Sequence, residues 1–331
     1  MKQILRKPYV LNRKVPENFS VKDRRHFEED FQTEIRENHL MIFKNANVLQ
    51  QFLFYNYILK KNYCFSRKVP FKKEIKSYLK NLFFSKKTIH EGLWVLDQWS
   101  IGYYHWLVDT LPRIISAETV NCNYPCVMPE HFKSVNFIVE SLEIFKRDVV
   151  TYNLNEKLVI KKLIAPSHFD PANCDPMQIK KVRDRFWEYD HHDDIDAPYK
   201  KVYISRTKAK RRFVVNEKEL QEFLCQNGFI TVFMEDLSFT EQRRLMLETK
   251  VLLSNHGAGL TNMLFLNEGS TIIELKSDSD DINNCFFNLA RALNHKYYYT
   301  INHADDKRVQ RANINVDINV LGILINDIKY L

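Results

Sequence analysis

The chain has 331 residues, of which 45% are hydrophobic and 27% charged, a composition that excludes a disordered protein and provides apolar material for two cores. No apolar run approaches the ~18 to 20 residues that span a bilayer, and the basic start lacks an apolar segment, so we expect a cytoplasmic chain with neither signal peptide nor transmembrane helix. The six cysteines are scattered without a CxxC pair, and we expect them to be reduced and mostly buried.

The formal charge of +8 is unevenly distributed along the chain. Residues 1–90 carry 20 Lys and Arg against 8 Asp and Glu, and the basic segment 60–87 has ten basic residues and one acid, Glu74. Aromatic and aliphatic residues alternate with these lysines. The pattern fits a solvated helix whose apolar side packs on the core, and it equally fits binding to an anionic membrane, an acidic acceptor or nucleic acid.

The first half of the chain predicts a mixture of strands and helices. The predicted elements are a strand core at 93–96, helices from about 102, over 135–145 and over 177–189, and one or two short strands at 158–166. Two prolines and an acidic loop surround the helix at 177–189, so we place the domain connection within 167–198. We therefore predict domains at 1–180 and 181–314, with a terminal helix at about 315–331 whose apolar face is available to pack back on the first domain.

Strands alternate clearly with helices in the second half. The predicted strands are 201–206, 229–234, 251–254 and 270–275, and the predicted helices are 217–228, 238–250, one that begins at the GLTNMLFL sequence, and 283–294. Ser238 and Glu241 predict a capping box at the start of the second of these helices. Strands separated by helices of about a dozen residues indicate a parallel sheet with right-handed crossovers, and therefore an α/β fold.

Three of the seven glycines lie within residues 252–275, and two of these flank Ala258 in the sequence His256-Gly257-Ala258-Gly259. A strand, a glycine turn and a helix in this order place free backbone N–H groups at the carboxyl edge of the sheet, where a phosphate can bind. The turn is neither a Walker A loop nor a GxGxxG motif, so a tight turn without a ligand remains the alternative. His256 either donates to a phosphate or caps the turn.

A second cluster of polar residues lies in GLWVLDQWSIGYYHWLVDTLPRI, residues 92–114. On a helix from about Gly102, His105 and Asp109 are four residues apart and share one face, with Arg113 a further four along. An imidazole oriented by a carboxylate is a general-base arrangement. Two alternatives remain open, namely an Asp109–Arg113 ion pair and a histidine that is simply buried in the core.

A third cluster, YISRTKAKRRFVVNEKEL at 203–220, places Arg206 at the end of a strand. A basic loop follows, and the next helix begins near Asn216. Basic side chains at the carboxyl end of a parallel strand suit a diphosphate, although a merely solvated loop has the same composition.

Together, GYYHWLVDTLPR, the YISR…RR…NEKEL pattern and FTEQRRLMLETKVLLSNHGAGLTNMLFLNEGSTIIEL resemble glycosyltransferase family 61 over roughly residues 90–300. That family includes plant xylosyltransferases and animal transferases of N-acetylglucosamine. The resemblance implies a GT-B fold, with two Rossmann-like domains facing across a cleft, and an inverting transfer from a nucleotide-sugar that we expect to be UDP-linked. It does not cover residues 1–89, and we do not expect this chain to carry the membrane anchor or signal that is typical of many family members.

The resemblance also implies roles for particular residues. We expect His105, oriented by Asp109, to be the base, and Arg206 with Arg211 or Arg212 to hold the diphosphate. We assign Glu274 to the ribose hydroxyls. The complete predicted donor site is Arg206, Arg211, Arg212, Asn216, His256, Gly257, Ala258, Gly259, Leu260, Thr261, Asn262 and Glu274.

Neither a metal nor another cofactor is expected, because protein cations and a helix end replace the metal in a GT-B enzyme. The pair Asp194 and Asp196 is a weak DxD signal in an acidic loop. The predicted partners are a nucleotide-sugar, a glycan, polysaccharide or lipid-linked acceptor, and an anionic membrane contacted through the basic segment 60–87. The alternatives are a nucleic-acid- or membrane-binding protein without activity and a degenerate transferase that only binds.

Overall fold

The computed structural model describes residues 1–64, 71–168, 172–190, 197–280, 283–308 and 311–329. The chain forms two compact units: unit 1 comprises Met1–Leu11 and Glu34–Tyr189, and unit 2 comprises Asn12–Thr33 and Asp190–Leu331. The predicted boundary at residue 180 falls inside a continuous helix, Pro176–Asp190, so unit 1 extends to Tyr189.

Residues 12–33, which we predicted within the first domain, belong to unit 2. The ring of Phe27 contacts the rings of Phe287 and Tyr297 at centroid distances of 5.4 and 6.4 Å. The Asp30 carboxylate accepts hydrogen bonds from the side-chain amides of Asn284 and Asn288 at 2.7 and 2.6 Å. These long-range contacts have no local sequence signal, which explains why the segment was misplaced.

Unit 1 is built on a mixed sheet. In spatial order its strands are Ile58–Leu59, Phe52–Tyr55, Asn38–Leu49, Glu156–Pro166, Ser85–Leu93, Cys126–Pro129 and Val149–Tyr152, and Lys2–Arg6 also pairs with Asn38–Leu49. Glu156–Pro166 pairs parallel with Ser85–Leu93 and antiparallel with Asn38–Leu49. The predicted strand core at 93–96 is wrong except at Leu93, because the strand covers Ser85–Leu93 and the next three residues form a buried loop.

The helical segments of unit 1 lie between these strands. They are Lys61–Tyr63, Phe71–Phe83, Tyr103–His105, Trp106–Thr110, Leu111–Glu118, Glu130–Ser134, Asn136–Ile144 and Pro176–Asp190. Trp106 and Leu107 are fully buried, as are Ile114 and Ala117 about two and three turns further on. The apolar face of this run of helix therefore packs into the core, as its sequence predicts.

Unit 2 contains the predicted parallel sheet. Its strands are, in spatial order, Phe229–Val232, Lys200–Ile204, Thr249–Asn255, Thr271–Ser277 and Lys296–Ala304, followed by the antiparallel strand Ile314–Asn315. Its helices are Val21–His26, Glu28–Phe31, Glu217–Gln226, Met234–Asp236, Phe239–Leu247, Ala258–Phe265, Cys285–Ala292 and Ile318–Lys329. The α/β class is confirmed, and the GT-B arrangement remains a prediction.

Three details refine the predicted elements of unit 2. The GLTNMLFL segment forms a 3-10 helix rather than an α-helix. The capping box is confirmed, since the N–H of Glu241 donates to the Ser238 hydroxyl and the Ser238 N–H donates to the Glu241 carboxylate. The terminal helix packs into the core of unit 2, where Leu321, Leu324 and Ile325 are buried.

Two sequence expectations concern the whole described chain. None of the six cysteines, all of which lie in the described residues, forms a disulfide, and all except Cys225 are buried. Among the described residues, no helix combines the length and hydropathy that crossing a bilayer requires.

Candidate active site

The predicted histidine–carboxylate pair forms in unit 1. His105 Nδ1 lies 2.6 Å from Asp109 Oδ2, while the His105 ring stacks at a tilt on Trp99, with 5.0 Å between ring centroids. The histidine side chain is 30% exposed and the carboxylate 13% exposed. Burial raises the pKa of Asp109, and the hydrogen bond from His105 opposes that rise. An Nδ1–H that donates to Asp109 leaves the Nε2 lone pair available to accept a proton.

The backbone that carries this pair is not a regular α-helix. Trp106–Thr110 is a π-helical turn inserted between Tyr103–His105 and Leu111–Glu118. Such wide turns occur often at functional sites. The Thr110 hydroxyl donates to Ser100 at 3.0 Å, which anchors the turn before the helix. The sequence spacing predicted the pairing correctly, but it did not predict the widened turn.

Arg113 does not compete for the Asp109 carboxylate. Its guanidinium is buried and donates to the carbonyl oxygens of Val95 and Pro166 at 2.5 and 3.0 Å. Burial lowers the pKa of Arg113 to about 10. Arg113 therefore connects this helix to the last residue of one strand, Pro166, and to the loop after another, at Val95. The alternative of an Asp109–Arg113 ion pair is wrong.

In unit 2, the predicted donor site lies at the carboxyl edge of the parallel sheet. Arg206 follows the strand Lys200–Ile204, and Gly257 follows the neighbouring strand Thr249–Asn255. The Arg206 guanidinium donates to the carbonyl oxygens of Arg211 and Arg212 at 3.1 and 3.4 Å. It also lies directly against Gly257, since a Cβ there would fall 2.1 Å from Arg206 Nη1. The scarce glycine thus makes room for a guanidinium.

The arginines at this edge are not neutralised by carboxylates. Among the described residues, neither Arg206 nor Arg212 forms an ion pair, although both are only half-exposed. Burial and the neighbouring Arg212 guanidinium lower the pKa of Arg206 to about 10, and burial also lowers the pKa of Arg212. Arg211 is exposed. Two partly buried guanidiniums without carboxylate partners among the described residues suit an anion.

His256 and Glu274 form a second histidine–carboxylate pair, with a different environment. His256 Nδ1 lies 2.5 Å from Glu274 Oε1, and His256 Nε2 lies 3.0 Å from the side-chain nitrogen of Asn283. Tyr297 donates its hydroxyl to the other Glu274 oxygen at 2.5 Å. Burial raises the pKa of Glu274, but the positive charge of Lys276 and the hydrogen bonds it accepts outweigh this, and the pKa is lowered.

This arrangement changes two predicted roles. Both ring nitrogens of His256 already have protein partners, so the side chain does not point a free N–H toward a phosphate. Glu274 is fully buried, which argues against direct contact with ribose hydroxyls. Both residues instead fix the end of the strand that leads into Gly257.

Several other predicted residues serve the fold through their side chains. The Asn216 side chain forms hydrogen bonds with the backbone N–H and carbonyl of Val316 at 2.9 Å each. Leu260, Thr261 and Asn262 are fully buried, so only their backbone could meet a ligand. Ala258 is exposed and Gly259 partly exposed.

The structure adds one polar residue that the sequence did not single out. Asn255 is buried, and its amide donates to the Arg212 carbonyl at 2.8 Å. Its Oδ1 atom has no hydrogen-bond partner in the part of the chain that the structure describes. It lines a cavity of about 20 Å³ together with Arg212 and His256. A buried acceptor left unpaired beside an anion site suits a ligand hydroxyl or N–H.

Asp194 and Asp196 lie outside the described residues. The described ranges contain no group of three or more His, Cys, Asp or Glu side chains that could hold a metal ion. The expectation of a metal-free site stays a prediction.

Named proteins share sequence with this chain. The EGF domain-specific O-linked N-acetylglucosamine transferase of Drosophila melanogaster is 39% identical over 99 residues, which are 29% of this chain and 18% of that protein. The human protein O-linked-mannose beta-1,4-N-acetylglucosaminyltransferase 2 is 40% identical over 79 residues, which are 22% of this chain and 13% of that protein. The matched segments span less than a fifth of the length of these curated relatives.

By their names these relatives are glycosyltransferases, a class whose chemistry would suit the arginines at the sheet edge and the His105–Asp109 pair. Within that class, the sequence model described as Glycosyltransferase 61 matches residues 103–273, just over half of the chain. The chain belongs to glycosyltransferase family 61, and the resemblance drawn from its three motifs is confirmed.

Proposed function

We propose that this protein is an inverting glycosyltransferase that transfers a sugar of the xylose or N-acetylglucosamine class from a UDP-sugar to a hydroxyl of a glycan or glycoconjugate. The observation that carries the proposal is the pair of partly buried guanidiniums, Arg206 and Arg212, which have no ion-pair partner among the described residues at the carboxyl edge of the sheet. Both named relatives transfer N-acetylglucosamine, which favours that sugar.

The role of Arg206 and Arg212 follows from the charge that develops during transfer. As the bond between the anomeric carbon and the phosphate oxygen breaks, the nucleoside diphosphate gains negative charge. Two guanidiniums held in place by the fold stabilise that charge without having to reorganise. In this proposal the two guanidiniums stabilise the leaving diphosphate in place of the divalent cation of metal-dependent transferases. We therefore expect activity to persist in EDTA.

The role of His105 follows from the proton that the acceptor must lose. The acceptor oxygen forms a bond to the anomeric carbon from the side opposite the leaving diphosphate, and its proton passes to Nε2 of His105. Asp109, 2.6 Å from Nδ1, holds the required tautomer and stabilises the imidazolium that forms. The sugar is thereby transferred with inversion, and the diphosphate leaves with the bonding electrons.

Asn255 supports the nucleotide part of the proposal. Its unpaired Oδ1 lies in the same cavity as Arg212. A ribose hydroxyl or a base N–H would satisfy this acceptor, whereas inorganic phosphate at neutral pH offers few donors. A nucleoside diphosphate should therefore bind more tightly than pyrophosphate.

The test is a thermal-shift titration of the purified chain with UDP, GDP, CMP, ADP and pyrophosphate in EDTA. A ligand at 100 times its dissociation constant stabilises the folded state by about 2.7 kcal/mol, a shift of several degrees. We expect a selective shift with UDP that Arg212→Met abolishes and that Arg244→Met, on an exposed arginine of the helix Phe239–Leu247, leaves intact.

Turnover separates a transferase from a protein that only binds nucleotide. We expect release of UDP from UDP-N-acetylglucosamine with a glycan acceptor, lost in His105→Gln while the UDP-induced thermal shift remains. Absence of a thermal shift with every nucleotide, with or without Mn²⁺, would refute the donor site.

A further inference from the structure

The helix Phe71–Phe83, in the basic segment 60–87, faces the sheet with its polar side. Ser77 and Asn81 are buried. The side chain of Asn47, on the strand Asn38–Leu49, donates to Asn81 Oδ1 at 3.3 Å, and the Leu59 N–H donates to the Tyr78 hydroxyl at 3.3 Å. These contacts determine the orientation of the helix on unit 1.

The apolar side of the same helix faces solvent. Ile75, Leu79 and Leu82 lie at i, i+4 and i+7, so they share one face, and Phe71 and Phe83 stand at its two ends. These five side chains are 45% to 82% exposed. The alternative in which the apolar side packs on the core is therefore wrong for this helix. A surface helix with its apolar face turned outward is expected to bind a partner.

Two further large apolar side chains are exposed in a turn that precedes a contact with this helix. Tyr57 and Ile58 are 74% and 57% exposed, and they immediately precede Leu59, whose N–H contacts the helix at Tyr78. Two elements of unit 1 thus present large apolar side chains in the same region. Single exposed apolar residues need no explanation, but the row along one face of the helix does.

The charges beside the apolar face are positive. Lys72 and Lys76 are exposed on the helix, and Lys86 and Lys87 are exposed on the strand that follows it. The single acid, Glu74, is already paired with Lys61 at 2.7 Å. Uncompensated lysines at the edge of an apolar helix face attract anionic headgroups while the apolar side chains enter the acyl boundary.

We propose that the helix Phe71–Phe83 lies in the surface of an anionic lipid bilayer and attaches the enzyme there. The apolar residues Ile75, Leu79 and Leu82 enter the lipid, and the lysines beside them contact phosphate and carboxylate headgroups. Nucleic acid accounts for the lysines but leaves the aliphatic residues in water. A second copy of the chain would cover the apolar face but bring the lysines together. A bilayer covers the apolar side chains and also provides anionic partners for the lysines.

The test is co-sedimentation of the full chain with sucrose-loaded vesicles, either of phosphatidylcholine alone or of phosphatidylcholine mixed with phosphatidylserine. We expect binding to the anionic vesicles that weakens with salt and little binding to phosphatidylcholine. The triple substitution Ile75→Gln, Leu79→Gln and Leu82→Gln introduces good helix formers at three positions that are 45% to 61% exposed. We expect it to weaken binding roughly a hundredfold, since each side chain is about half exposed.

The matched control is the double substitution Val320→Gln and Ile323→Gln in the terminal helix Ile318–Lys329. Those residues are 47% and 65% exposed, and Asp317 and Asp327 lie beside them rather than lysines. We expect this variant to bind vesicles like the unaltered chain. Replacing Lys72 and Lys76 with Gln should weaken binding about fivefold for each lysine. Circular dichroism and UDP-induced thermal shifts check that every variant is folded.

Three results would overturn the proposal. The first is absence of binding to anionic vesicles, or equal binding by the triple variant. The second is a dimer of the unaltered chain that the triple substitution converts to a monomer, which would show that a second copy covers the face. The third is binding of a single-stranded oligonucleotide that both the triple and the lysine variants lose.

Discussion

Gly257→Ala should weaken nucleotide binding while leaving the fold intact. The residue has a φ of 178°, an extended conformation that alanine adopts without strain. A Cβ at this position would lie 2.1 Å from Nη1 and 2.7 Å from Cζ of Arg206. Because these are atoms at the end of a flexible side chain, the guanidinium moves away and the backbone stays in place.

The expected size of the effect follows from the hydrogen bonds that the displaced guanidinium can no longer make. A hydrogen bond to a charged group contributes about 1.5 to 3 kcal/mol, which corresponds to a dissociation constant for UDP about 10 to 100 times higher. Loss of the bonds from Arg206 to the carbonyl oxygens of Arg211 and Arg212 should lower the unfolding free energy of the unliganded chain by only about 1 kcal/mol.

Isothermal titration calorimetry with UDP measures the affinity directly, and thermal denaturation with and without UDP measures the stabilisation. At a UDP concentration of 100 times the unaltered dissociation constant, the stabilisation should fall from about 2.7 kcal/mol to between about 1.4 and 0.4 kcal/mol. Gly322→Ala, in the terminal helix, is the control, because its Cβ would meet only the ring of Phe223 at 3.3 Å.

Unchanged UDP affinity in Gly257→Ala would refute the assignment of Arg206 to the diphosphate. An equal loss of affinity in Gly322→Ala would show that any glycine replacement disturbs the unit, and would refute it as well. Gly257→Ala and Arg206→Met should each lower the UDP affinity. If the double variant loses no more affinity than the single variants, both changes act through the same guanidinium.

Three further outcomes test unit 1. His105→Gln should lower turnover by about 10² to 10⁴ with UDP affinity unchanged, and Asp109→Asn should lower it by a smaller factor; initial rates of UDP release and calorimetry check both. Burial and the Arg113 charge hold the pKa of His168 well below its ordinary value of 6.5, so the unfolded chain binds that proton more readily. The stabilisation that comes from keeping His168 neutral is therefore fully present above pH 6.5, and the unfolding free energy declines below that pH by up to about 1.4 kcal/mol per pH unit. His168→Gln should reduce this pH dependence in urea-unfolding free energies measured between about pH 5 and pH 7. Arg113→Met should lower the unfolding free energy by about 2 to 4 kcal/mol, because two buried carbonyl oxygens lose their donor, and urea unfolding at neutral pH measures this.

The second half of the chain could be predicted well because its signals are local. The strands Lys200–Ile204, Thr249–Asn255 and Thr271–Ser277 each precede or follow a helix with a clear start or stop, so the parallel sheet and its carboxyl edge followed from the order of the elements. The scarcity of glycine also indicated a close approach at Gly257. The group that approaches is the side chain of Arg206, which no spacing along the chain could reveal.

The first 90 residues could not be predicted in the same way. The strand Lys2–Arg6 pairs with Asn38–Leu49, which in turn pairs with Glu156–Pro166, so its partners are far apart in sequence. A helix usually buries its apolar face, but the helix Phe71–Phe83 buries its polar face and exposes its apolar one. Periodicity identifies the two faces of a helix, but only the contacts of the folded chain show which face is covered.

Two histidine–carboxylate pairs of similar composition differ in how far they are buried, and burial decides which of the two histidines a substrate could reach. His105 is 30% exposed, with Asp109 on one nitrogen, so the other nitrogen can exchange a proton with a substrate. His256 is 11% exposed, with Glu274 on one nitrogen and Asn283 on the other, so neither nitrogen is available. A sequence shows only that a histidine has an acid within reach. Replacing Asn283 with Ala would free Nε2 of His256 without exposing it, and we expect no new proton-transfer activity to appear in the His105→Gln background, because a catalytic base must also be reached by the group it deprotonates.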